Sequence, residues 1–65
     1  MNAAQLALAV VLNELEAMRD MADDGMRVTR RVENELSTKW YEGRRDALTS
    51  AIVAVHVRIE KERTR

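Results

Sequence analysis

Tyr41, Arg45, Leu48, Ile52, Val55 and Ile59 recur at alternating steps of four and three residues. That spacing lines side chains up along one side of an α-helix and marks a helix–helix seam. Little in the chain opposes helix: there is no proline, glycine occurs twice, and Ala, Leu, Glu, Arg and Val are abundant. Apolar residues make up 46% of the sequence and fall into periodic stripes, which excludes a disordered chain. The fold class expected is all-α. With 65 residues there is room for one domain, and a chain of this size buries only about 60% of the surface its unfolded form exposes. Small scaffolds therefore add a disulfide, a metal or another subunit. No cysteine is present, and the single histidine, His56, cannot form a zinc site without several converging carboxylates. Association between chains is the device that remains.

Taken in order, the sequence predicts a first helix over residues 3–22, with Asn2 as its cap. Ala4, Leu8, Val11, Leu12, Leu15, Met18 and Ala22 form one stripe. Ala3, Leu6, Val10, Ala17 and Met21 form another, roughly 120° away at helical spacing. A helix apolar over so much of its circumference is normally covered on more than one side. Asp23-Asp24-Gly25 is the clearest turn signal and predicts a turn over 23–26, with Gly25 left-handed or Asp24 capping forward.

Helix then continues over 27–62, and the expected fold is an antiparallel helical hairpin with a long second helix. Val28, Val32, Leu36, Trp40, Gly43 and Ala47 lie on one stripe of it and Leu48, Ile52, Val55 and Ile59 on another, displaced by roughly 130°. Either one long helix turns different faces to different partners, or the helix breaks near Ser37, with Ser37 or Thr38 capping a third. The long helix is preferred. It would be about 52 Å long against about 30 Å for the first, leaving residues 48–59 to overhang. An uncovered Leu-Ile-Val-Ile seam is an association site. The expected oligomer interface is accordingly Leu6, Leu8, Val10, Val11, Leu12 and Leu15 with Leu48, Ile52, Val55 and Ile59. In the terminal EKERTR, Lys61, Arg63 and Arg65 complement the dipole of the preceding helix.

Charge is balanced overall but not along the chain. Residues 1–25 carry five acids against Arg19, whereas residues 26–65 carry ten bases against six acids. That asymmetry favours the two parts lying together, within one chain or between chains. The apolar N-terminal run is too short to span a bilayer, since ten helical residues rise about 15 Å. No secretory signal pattern is visible, and with no cysteine the expectation is a cytoplasmic protein.

Tyr41-Glu42-Gly43-Arg44-Arg45-Asp46-Ala47-Leu48 resembles a Tyr-x-Gly-x-x-x-Ala-Leu stretch of small phage and prokaryotic helical-hairpin proteins, where it opens an apolar second helix. The resemblance covers eight residues and implies no particular activity. It is consistent with a phage-type accessory protein that occupies a host protein's surface. A mid-helix glycine costs about 0.5–1 kcal/mol relative to alanine, so Gly43 is expected at a close helix crossing.

A second chemistry is available on the same stretch. Trp40, Tyr41, Arg44 and Arg45, with Arg30 and Arg31 upstream, are residue types that stack on bases and pair with phosphate. They define a candidate site for a nucleotide or cyclic nucleotide, held by an oligomeric sponge. The plainer reading, which is preferred, has the aromatics filling the crossover between stripes and the arginines pairing with nearby acids. Duplex DNA is disfavoured, because acids interrupt the arginines and no recognition-helix arrangement is seen. Asp20, Asp23 and Asp24 read as a solvated helix end, with no calcium-loop spacing. No metal or cofactor is expected. With no cysteine, no serine–histidine constellation and no glycine-rich phosphate loop, the chain reads as a non-enzyme.

Overall fold

The computed structural model describes residues 2–64. It consists of two helices, α1 (Ala3–Arg31) and α2 (Glu35–Arg63), each of 29 residues, folded against each other as a hairpin. Its extents are 49 × 14 × 10 Å. The all-helical expectation holds. Asn2 caps α1 through a capping box with Gln5: the Gln5 N–H donates to Asn2 Oδ1 at 2.8 Å, and the Asn2 N–H donates to Gln5 Oε1 at 3.2 Å. At the far end Lys61 and Arg63 occupy the last turn of α2, where cations suit the dipole; Arg65 lies outside the described residues.

The turn is not at 23–26. Asp23, Asp24 and Gly25 continue α1, and the chain reverses at Val32, Glu33 and Asn34. The Asn34 N–H donates to the Thr29 carbonyl at 2.9 Å and the Glu33 N–H to the Arg30 carbonyl at 3.1 Å, the paired bonds of a Schellman ending. Its left-handed residue is Glu33, at φ 57°. Asn34 then caps α2, its side chain accepting from the Ser37 N–H at 3.0 Å. The preferred unbroken helix over 27–62 is thus corrected, and the alternative break near Ser37 falls instead at residues 32–34, with Ser37 and Thr38 in the first turn of α2. A hydroxyl pair closes the reversal. Thr38 Oγ1 lies 2.8 Å from both Thr29 Oγ1 and the Asn34 carbonyl, its one proton serving either, while Thr29 donates onward to the Met26 carbonyl at 3.1 Å.

Moving the turn makes the helices equal, so the second is not the longer one and the overhang is absent. Tyr41, Arg45, Leu48, Ile52, Val55 and Ile59 do form one seam, but it faces α1 of the same chain. Leu48 and Ile52 are buried with Ala22 and Met26; Leu8, Leu12, Leu15, Val55 and Ile59 flank them half-buried. No polar residue is buried among the described residues.

Gly25 sits inside α1 because the Tyr41 ring occupies the place of its side chain. A Cβ built there would lie 2.5–2.7 Å from three ring carbons. Gly43, expected at the close crossing, has nothing within 4 Å of the same position. The crossing is at Gly25. Gly25→Ala should therefore lower stability by about 1–2 kcal/mol, overpacking outweighing the gain in helix propensity. Tyr41→Leu should remove most of that penalty in the double variant, as read by denaturant unfolding.

Candidate functional site: the uncovered face of the hairpin

With the seam closed, the two long edges of the hairpin differ in chemistry. One edge is charged. Arg45 donates to Asp46 Oδ1 from both Nε (3.2 Å) and Nη2 (2.9 Å), and to the Met26 sulfur at 3.8 Å. Asp23 stands 4.0 Å from the same guanidinium, and Arg30 stands 4.0 Å from Glu42. The Asp46 hydrogen bond raises Arg45 above its ordinary pKa; desolvation pulls the other way, and the charges of Asp46, Asp23 and Glu42 add to the rise. Arg45 is thus a cation at any pH an assay would use. These pairs are open to water, which screens them, so each adds little to stability.

The other edge is apolar. Met18, Met21 and Ala22 of α1 and Trp40, Tyr41 and Arg44 of α2 line one groove of about 440 Å³. Lys39, Trp40, Gly43, Arg44, Ala47 and Leu48 line the next. Helical spacing extends this face in both directions. Val11 and Val32 lie seven and fourteen residues from Met18, on the same side of α1, and Val10 and Val28 share the shoulder carrying Met21. On α2, Leu36, Gly43, Ala47 and Ala54 keep company with Trp40 at steps of four, three and seven. Met21 is 72% exposed, Val32 67%, Leu36 83% and Trp40 59%.

The residues expected at an oligomer interface divide accordingly. Leu8, Leu12, Leu15, Leu48, Ile52, Val55 and Ile59 close the hairpin itself, so the expectation that residues 48–59 stand uncovered is corrected. Leu6 and Val10, of the second stripe of the first helix, are exposed, and so is Val11, of the first. Absent from the expected set were Met18, Met21, Val28, Val32, Leu36 and Trp40. Their signal was present as stripes, but a turn placed at 23–26 assigned Val28 and Val32 to the wrong helix.

The cationic and aromatic set is likewise divided. Trp40 and Arg44 do meet, the guanidinium carbon 5.6 Å from the ring centroid. Tyr41 packs edge-on to Trp40 at 4.9 Å and 83°, with its ring held over Gly25. Arg45 and Arg30 turn to the charged edge and Arg31 projects from the last turn of α1. His56 is exposed on α2. Among the described residues no three His, Cys, Asp or Glu side chains converge as metal ligands, and no helix is long and apolar enough to cross a membrane.

Ile52→Asp should now unfold the single hairpin rather than merely separate copies. An unpaired buried charge costs about 3–5 kcal/mol, enough to abolish the cooperative thermal transition followed by circular dichroism, even in dilute protein. No family model matches the chain, and no curated protein or solved structure matches it.

Proposed function

We propose that this chain is a non-enzymatic, self-associating binding protein that works through the apolar face shared by α1 and α2. The observation that carries the proposal is the extent of that face. Leu6, Val10, Val11, Met18, Met21, Val28, Val32, Leu36 and Trp40 are all exposed. So many large apolar side chains left open are unusual for a molecule that works alone, whose largest apolar patch is roughly 300–600 Å². Among the described residues only Ala22, Met26, Leu48 and Ile52 are buried, so a hairpin this thin gains stability from whatever covers the outer face. The non-catalytic reading rests on the titratable groups, which pair along an open edge instead of converging in a pocket. A cysteine-free composition suits a reducing compartment, and the proposal places the protein in the cytoplasm. The resemblance at residues 41–48 supports a phage-type accessory role in which the assembly occupies a host protein's surface.

A second reading keeps the nucleotide sponge, because Arg44 lies against Trp40 beside the open Gly43 groove, a small stacking and phosphate-pairing set. Calorimetric titration with mono-, di- and cyclic nucleotides decides it: heat that disappears in Arg44→Ala and Trp40→Ala supports the sponge, and no heat removes it.

For the leading reading, light scattering should give a mass at least twice the 7.5 kDa of one chain. Val10→Glu and Met21→Glu should each return the single-chain mass while the far-ultraviolet helix signal persists. A wild-type mass of one chain at high concentration would overturn the proposal.

A further inference from the structure

We infer that the occupant of the apolar face is a second copy seated with its turn at the same end. In that arrangement α1 of each protomer lies on α2 of its partner about a two-fold axis parallel to the helices. This rests on the self-association just proposed and adds its geometry. A standard stable interface takes about 800 Å² from each partner, which nine exposed large apolar side chains can supply, and two such hairpins face to face make a four-helix bundle.

Two face-to-face arrangements are two-fold symmetric, and the residues on the outer stripes separate them. The internal register is set by Thr29 beside Thr38, Gly25 beside Tyr41 and Asp23 beside Arg45. Continued at ~1.5 Å per residue, it brings Met21 level with Ala47, Glu14 level with Val53 and Leu6 level with Lys61. Apolar bulk collects near the turn, in Val28, Val32, Leu36 and Trp40. Towards the other end, the outer stripe of α2 carries Arg58 and Lys61.

With turns at opposite ends, Leu36 at the start of α2 would be laid over the partner's charged final turns of α2. The two α1 helices would also meet, bringing the two Glu14 carboxylates to within about 9 Å along a seam whose outward stripe carries no base. With turns together, the Val28–Val32–Leu36–Trp40 clusters cover one another. Met21 then falls over Gly43 and Ala47 of the partner, where the missing Cβ leaves room. Glu14 falls within two helical turns of the partner's Arg58. Side chains lean towards their helix N-terminus, so Glu14 leans to the open end and Arg58 to the turn, each towards the other. Charge and size agree on the same arrangement.

The test uses the absence of native cysteine. Glu35→Cys, at the exposed start of α2, and separately Lys61→Cys, near its end, are spin-labelled, and the distance between copies is read by pulsed dipolar spectroscopy beside a light-scattering mass. Turns together gives a two-chain mass and separations under about 30 Å for both labels, since packed helices lie 8–10 Å apart. Turns opposed gives separations approaching the 49 Å length of the hairpin for both. That result, or a mass that climbs with concentration, overturns the arrangement and leaves the association reading standing. A single-chain mass with no dipolar coupling removes both.

Discussion

The reversal at Val32, Glu33 and Asn34 decides which residues meet. Its two backbone bonds to Thr29 and Arg30, the Asn34 cap and the Thr29–Thr38 hydroxyl contact fix the helices in one register. From that register follow the insertion of the Tyr41 ring at Gly25 and the facing of Leu48 and Ile52 onto α1. A turn several residues earlier would shorten α1 and strand half of α2. The placement of one left-handed residue thus decides how much apolar surface the chain covers by itself.

What is covered and what is left over divides by side. The inner seam is a narrow row with small residues at its tightest point, and the charged edge closes over it with exposed ion pairs that contribute little. The opposite edge receives no such cover. Methionine and tryptophan there present large, adaptable apolar surface. The hairpin is therefore one-sided, with a flank of charged pairs and a flank of exposed apolar side chains.

Much of this was legible in the residues. The four–three recurrence from Tyr41 to Ile59 marked a stripe that is covered, because burial against a neighbouring helix imposes that period, but the expected neighbour was another chain and the observed one is α1. Asn2 was readable as a cap for the same local reason. The turn was not readable, since the usual markers stood elsewhere. Gly25 is present to admit an aromatic ring rather than to reverse the chain, and the left-handed position fell to Glu33, a residue with no preference for it. With the turn misplaced, the outer stripes were seen but distributed between the helices wrongly. The arginines were read as a group because they are close in sequence. Helical geometry sends Arg44 and Arg45 to opposite edges, as consecutive residues stand 100° apart.

Glu33 has one more consequence. A non-glycine residue held left-handed costs roughly 1–2 kcal/mol, and rotation of that residue and its neighbours into the right-handed region would fuse α1 and α2 into a single rod. The left-handed cost is thus a local strain at one residue, held in place by the two backbone bonds of the reversal, the Asn34 cap and the packing of one arm on the other.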